Sequence, residues 1–408
     1  MTEHTLNYPL LIMILGGIII LTMLVRAGLT RLNIPALVGF LVLGFLMKLA
    51  DMRWGILTPG SSDIFGFLAK LGLISLLFRV GLESNLAGLL NQLKRASLIW
   101  SSDVLVSGLI GFITAFYLLH LAWITSLIVA AAFTATSVGI SVAIWDDAGA
   151  LNSKNGEMLI DVAELDDISA VVLMALLFSL LPVLTDKTGG PLMPVVARTL
   201  GVFLAKLIGF GVCCYLFSRY AEKPITARFK NMNPPSSYML VVLAIGFIIA
   251  AAADMLGFSM AIGAFFAGLV FSRDPEAVKR ETSFMPLYEL FSPFFFIGIG
   301  MSMDPESLHG AAGLGAILLL AAMISKMLAD GLPAWMMGTF SSGALIGISM
   351  IPRAEIAMVI MHRGLYLKNQ AVSAEVFGAM VMVSLGTCLI APLCVKPLLQ
   401  KWPQPEEK

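Results

Sequence analysis

Charge is sparse in this chain. Charged residues make up 13% of its 408 residues, against roughly 25% in soluble domains. With 58% hydrophobic residues and a mean hydropathy of +0.91, that deficit excludes a soluble enzyme with one anchor and leaves a polytopic membrane protein. Histidine and cysteine are scarce as well, four of each. No Cys-x-x-Cys or Cys/His spacing suits a metal, so no cofactor is expected. Cys213, Cys214, Cys388 and Cys394 all fall in apolar runs and read as small core residues rather than disulfides. No excess of one sign exists either: 26 basic residues meet 26 acidic ones, so nothing suggests a nucleic-acid partner. The short acidic N-terminus (Thr2, Glu3) lacks a cleavable signal pattern. The loops are too short to form a soluble regulatory domain, and none is expected after Lys408.

What the chain does have is about thirteen apolar segments of spanning length. They lie near 8–26, 34–50, 64–88, 97–119, 123–145, 157–182, 194–217, 236–253, 257–272, 285–303, 311–338, 342–362 and 372–398. The reading is an all-α bundle. The longest loop, 218–235, is basic and Pro-rich and reads as a cytoplasmic linker between two halves. Alternate loops are rich in Lys and Arg (Arg26/Arg31, Lys94/Arg95, Lys154, Arg219 to Lys230, Arg273/Lys279/Arg280 and the tail), whereas the other set holds only Arg53, Lys187, Arg363 and Lys368. The basic set marks the cytoplasmic face, with the N-terminus outside and the C-terminus inside.

Two of these spans are polar where an unbroken helix would prefer Leu or Ala. The fifth carries Thr134-Ala-Thr-Ser137 and the twelfth carries Ile351-Pro-Arg-Ala-Glu355. Both interruptions fall about 15–18 Å into their spans, near mid-bilayer. They are about seven spans apart, as two six-span repeats flanking one linker span require. The expected division is therefore a first repeat over 1–193, a linker helix and loop over 194–235, and a second repeat over 236–408. Small polar residues also serve simple close packing.

The intramembrane charges cluster at similar depth. Asp166 and Asp167 stand together in the sixth span, about 16 Å along a helix begun at Gly156. An aspartate there costs at least ~2.5–3.5 kcal/mol. Lys326 lies in the eleventh span, Arg353 and Glu355 in the twelfth, and Thr136 and Ser137 offer hydroxyls from the fifth. The two aspartates point about 100° apart on a helix, so one can pair with Lys326 while the other faces a cavity. Carboxylate, hydroxyl and freed carbonyl oxygens suit a hard monovalent cation, whose binding displaces a proton. A purely structural Asp166–Lys326 pair is the bland alternative. Asp161 and Glu164 lie nearer the cytoplasmic end, where they either line an access funnel or sit in headgroup-level water. Lys70, Arg79 and Glu83 form a candidate network in the third span. Asp103, Lys206, Asp254 and Asp330 read as singletons that snorkel or pair.

These stretches, with Leu77-Phe-Arg-Val-Gly-Leu-Glu83, Ala261-Ile-Gly-Ala-Phe-Phe-Ala-Gly-Leu269, Pro293-Phe-Phe-Phe-Ile-Gly-Ile-Gly-Met301 and Ser325-Lys326, resemble the monovalent cation:proton antiporter-2 superfamily. The likeness is to the branch of bacterial Na⁺/H⁺ exchangers and Kef-type K⁺ efflux systems. The resemblance implies two inverted repeats, a core domain with two crossed, unwound helices, an elevator-type motion and a homodimer in the inner membrane of a bacterium. It implies that Asp167 carries cation or proton in competition, that Asp166 is its acidic neighbour salt-bridged to Lys326, and that Thr136 and Ser137 border the ion. Arg353 and Glu355 match the family's Pro-Arg-Gly-Glu stretch, with Ala354 in place of Gly. Kef-type systems carry Gln at the first aspartate position and usually a nucleotide-binding domain, so the pattern here favours Na⁺ and Li⁺ over K⁺. The Asp-Asp pattern further implies electrogenic exchange.

Two other classes fit poorly. An intramembrane aspartyl protease needs its aspartates on separate helices in Tyr-Asp and Gly-x-Gly-Asp contexts, and neither occurs. A cation channel needs a multi-site filter, and no repeated ring motif is visible.

Overall fold

The structure is a computed structural model that describes residues 8–31, 34–83, 96–137, 141–142, 144–145, 148–151, 153–185, 192–230, 238–272, 281–367 and 371–404. All the regular structure among them is helical. In chain order the helices are α1 Tyr8–Arg31, α2 Ala36–Trp54, α3 Pro59–Glu83, α4 Ala96–Leu118, α5 Trp123–Thr134 and α6 Lys154–Thr185. They continue with α7 Leu192–Leu216, α8 Tyr238–Met255, α9 Met260–Phe271, α10 Glu281–Met301 and α11 Leu308–Lys326. The last three are α12 Phe340–Ser349, α13 Glu355–Leu365 and α14 Ala374–Lys401. Seven helices among the described residues are long and apolar enough to cross a membrane. Their outward faces are apolar as well: Ile12, Met13, Ile20 and Met23 of α1 are all more than 60% exposed, as expected where lipid replaces water.

The chain divides into two compact units, and each draws on both halves of the sequence. One comprises Met1–Thr22, Arg53–Leu86 and Ala175–Gly298; the other comprises Met23–Met52, Ala87–Met174 and Ile299–Lys408. In the first unit α9 is sandwiched by α3 and α8 at backbone contact. A Cβ built on Gly268 would lie 2.2 Å from the Phe78 carbonyl oxygen, and one on Gly81 would lie 2.1 Å from that of Phe265. Small residues let membrane helices approach this closely and gain dispersion energy. Phe203, Phe210, Phe258 and Phe266 then join α7 to the sandwich through tilted and edge-on ring pairs. Gly268→Ala is expected to lower the melting temperature, an overpacking cost of about 1–3 kcal/mol or more. Gly16→Ala, where nothing lies within 4 Å, is expected to be neutral. Equal melting temperatures for the two variants in detergent would contradict this packing.

Two corrections concern the linker and the thiols. The basic stretch after α7 is helix as far as Lys230, because α7 passes through a π-turn at Phe217–Ala221 into Glu222–Lys230. Pro224 sits in the first turn of that last segment, where a missing N–H costs least. Of the four free cysteines, Cys214 and Cys388 are buried, but Cys213 is exposed and Cys394 intermediate. Apolar sequence context does not separate a lipid-facing thiol from a core one.

The second unit holds the interruptions. α5 ends at Thr134, and Ala135 is extended at φ −70°, ψ 135°. Residues 135–137 stay non-helical, where Thr and Ser hydroxyls compete for backbone groups. α12 stops at Ser349, residues 351–354 are non-helical and α13 begins at Glu355. Pro352 accounts for that stop: it has no N–H and drives Ile351 out of the helical region. Glu355 then lies in the first turn of α13, where the helix dipole favours an acid. α4 and α11 are also irregular. α4 widens into π-turns at Asp103–Ser107 and Thr114–Leu118, and α11 continues through a π-turn at Met327–Gly331 into Leu332–Met337.

Candidate functional site: a buried charge cluster beside two broken helices

The two breaks satisfy each other's orphaned backbone. The Ser137 N–H donates to the Pro352 carbonyl at 2.8 Å. The Arg353 guanidinium donates to the Ala135 carbonyl. Ser137 Oγ donates to Glu355 Oε2 at 2.5 Å, and Ser141 Oγ donates to the Ser349 carbonyl at 2.6 Å. Trp145 Nε1 donates to Ser349 Oγ at 2.9 Å. Unwound backbone at membrane depth is tolerated only where protein or a cavity supplies such partners. Arg353 is fully buried. Its N–H donates to Thr387 Oγ1 at 3.0 Å, and its carbonyl accepts from Ser384 Oγ at 2.5 Å. α14 thus fixes the backbone of the second break.

Next to the breaks lies Lys326, 0% exposed and ringed by three carboxylates that are equally buried. Its Nζ is 2.5 Å from Asp103 Oδ1 on α4, 3.2 Å from Asp166 Oδ2 on α6 and 3.5 Å from Asp330 Oδ2 one turn along its own helix. Asp166 Oδ2 also accepts from Thr136 Oγ1 at 2.7 Å, which ties the first break to the cluster. Asp103 Oδ1 accepts from Ser107 Oγ at 2.6 Å. Three fully buried carboxylates around one ammonium are held at a cost that structural packing alone seldom bears.

The structure therefore brings together Asp166, Lys326 and Thr136, and separately Ser137, Glu355 and Arg353, with Arg353 and Asp166 in electrostatic interaction. Asp167 follows Asp166 on α6 and is only partly buried, so the two neighbouring carboxylates face different surroundings. Asp161 and Glu164 are likewise partly exposed on α6. Asp103 and Asp330, read from sequence as singletons that snorkel or pair, do pair, and both with Lys326 as members of the cluster. Asp330 carried a signal, since it stands four residues from Lys326; Asp103 carried none. In the third span, the Arg79 guanidinium stacks over the Tyr288 ring at 4.7 Å, whereas the Glu83 side chain lies outside the described residues.

Broken helices meeting at a buried ion cluster, within a helical bundle of this hydropathy, define a secondary transporter of small ions. The chain belongs to the sodium/hydrogen exchanger transmembrane family, whose pattern it matches over residues 17–401. It is a multi-pass membrane antiporter of cations and protons and not an enzyme. It is 26% identical to the high-affinity Na⁺/H⁺ antiporter NhaS3 of Synechocystis over 89% of this chain and 84% of that protein. It is 27% identical to the K⁺/H⁺ antiporter subunit KhtU of Bacillus subtilis over 93% of this chain and 92% of that protein. The fold is similar to that of the sodium proton antiporter MjNhaP1 from Methanocaldococcus jannaschii, with a TM-score of 0.70 and 18% identity over 96% and 98% of the two chains.

Proposed function

We propose that the protein exchanges Na⁺ (or Li⁺) for H⁺, with Asp167 binding either cation or proton and never both. The observation that carries this is the hydrogen bond from Thr136, in the first break, to Asp166, the residue that precedes Asp167. It ties a hydroxyl of the first break to the carboxylate that adjoins Asp167 in sequence. A hard monovalent cation takes its ligands from such oxygens, and the proton it displaces leaves the same carboxylate. Asp166 stays with Lys326 and sets the field in which Asp167 works. Arg353 and Glu355 hold the second break in place, and Asp161 and Glu164 line the approach from the cytoplasm.

In this reading the unit that contains both breaks carries the site across the membrane in an elevator-type motion. The repeats span 1–193 and 236–408 about the 194–235 linker, the protein is a homodimer, and it sits in the inner membrane of a bacterium with its N-terminus outside. K⁺/H⁺ exchange is the alternative, supported by the likeness to KhtU, because oxygen ligands serve both ions. Purified protein in liposomes under an imposed pH gradient separates them: Na⁺ and Li⁺ should collapse the gradient and K⁺ should not. Collapse by K⁺ alone would reverse the assignment, and collapse by none would remove it.

The Thr136 hydroxyl offers a sharper test. Thr136→Val keeps the shape but removes a hydrogen bond to a buried carboxylate, worth about 1.5–3 kcal/mol. The apparent KM for Na⁺ is expected to change by about tenfold or more, since about 1.4 kcal/mol is a factor of ten. An unchanged KM would detach Thr136 from the ion path.

A further inference from the structure

We propose that Asp103 and Asp330 form a second, cation-independent anchor for Lys326, and that a resident proton on Asp330 keeps this anchor neutral. The inference rests on the exchange reading only for its transport measurement.

The charged groups that interact here come from four places in the fold. They are Asp103 on α4, Asp166 on α6, Lys326 and Asp330 on α11, and Arg353 in the second break. α12 packs on the π-turn that holds Asp330, with Gly343 and Gly347 against Gly331, and contributes no charge. Three carboxylates thus face two cations, and Asp103, Asp166, Asp330, Lys326 and Arg353 are all 0% exposed. Carboxylates this close around one ammonium, away from water, do not all ionise. One proton brings the group to neutrality.

Geometry says where that proton rests. Asp166 Oδ2 accepts two hydrogen bonds, from Thr136 and Lys326. Asp103 Oδ1 has Ser107 at 2.6 Å and the closest approach to the ammonium, 2.5 Å. Asp330 accepts none: both its oxygens lack a hydrogen-bond partner among the described residues, and the ammonium is 3.5 Å away. A buried carboxylate without donors is the least stable place for a negative charge. Two π-turns build this arrangement, for Asp103 opens one and Asp330 lies in the other. Each makes room for an acidic side chain inside a helix bundle, and such turns gather at functional sites. The consequence is that Lys326 keeps a full counterion in Asp103 whether or not Asp166 is engaged. Lys326 then stays charged, and Asp166 stays beside it, whichever ion Asp167 holds.

Infrared spectroscopy of the purified protein tests this directly. With saturating Na⁺, so that Asp167 holds no proton, the wild type should show a carboxylic-acid carbonyl band that Asp330→Asn removes. Asp330→Glu, which keeps the acid, should move that band without removing it. Asp103→Asn should remove the band too, because Asp330 then ionises to replace the lost counterion. In liposomes, Asp330→Asn should shift the pH profile of exchange less than the double variant does. The double variant Asp103→Asn/Asp330→Asn leaves Lys326 with Asp166 alone and should shift the profile by about one pH unit or more, with a raised apparent KM for the cation. A wild type without the band, a band that survives Asp330→Asn, or a single Asp330→Asn shift as large as that of the double variant would overturn the proposal. If the wild type moves no cation, the exchange reading fails, but the infrared comparison still decides where the proton rests.

Discussion

Asp167→Asn should reduce cation-driven proton movement to the background of empty liposomes while leaving a folded protein. The substitution is nearly isosteric, so the packing of α6 persists. It takes away the one property that exchange needs, a group whose negative charge a cation or a proton can neutralise in turn. Asp167 suits this task because it stands beside Asp166, whose charge is committed to Lys326 and Thr136, yet is itself only partly buried. Loss of exchange is expected to be complete, since a neutral amide can give up neither a cation nor a proton in exchange for the other. The melting temperature should stay close to that of the wild type. Retained Na⁺-dependent proton release would place the exchanging carboxylate elsewhere, and collapse of the fold would make Asp167 a structural residue. A matched Asp166→Asn should behave differently. It strips a counterion from Lys326 and an acceptor from Thr136, so it should lower stability as well as transport.

The helices and the two breaks are legible in the sequence for a simple reason. In lipid every helix is apolar all round, so hydropathy marks spans directly, and a Pro-Arg pair or a run of Thr and Ser in mid-span marks the place where the helix gives way. The pairing of Asp166 with Lys326 can be read too, from depth and charge alone. Asp103 cannot, because its partner lies on another helix far along the chain and nothing local distinguishes a paired acid from one that reaches the headgroups. The π-turns at Asp103–Ser107 and Met327–Gly331 are hidden for a related reason: each carries an acid that reaches the same ammonium. Hydropathy also says nothing about which apolar face is core. Cys213 shows this, an apolar-context residue that is exposed. The helix at Glu222–Lys230 escapes sequence reading because its residues are polar, its span ends before it, and Pro224 signals a loop when its first-turn position is not known.

Lys326→Ala should destabilise the protein more than any other single change in the cluster, by about 3–5 kcal/mol or more, the cost of removing one member of a buried ion pair. The sequence alone points to one orphaned carboxylate; the geometry leaves two charged ones, Asp103 and Asp166, with Asp330 beside them, all fully buried. The cavity left by the lysine stem adds to the loss. Because the deficit is electrostatic, it should be relieved by neutralising a carboxylate in the same chain. Lys326→Ala/Asp103→Asn should melt higher than Lys326→Ala alone, a non-additive pair of the kind that contacting residues show. The pH profile of any residual exchange should move as well, because Asp166 loses the ammonium that sets its field. Melting curves of the single and double variants in detergent, with flux assays across pH, decide the matter. If Lys326→Ala melts with the wild type and keeps its pH optimum, the ring of carboxylates is not held by this ammonium. If the double variant melts below the single one, the destabilisation comes from lost packing rather than from unbalanced charge.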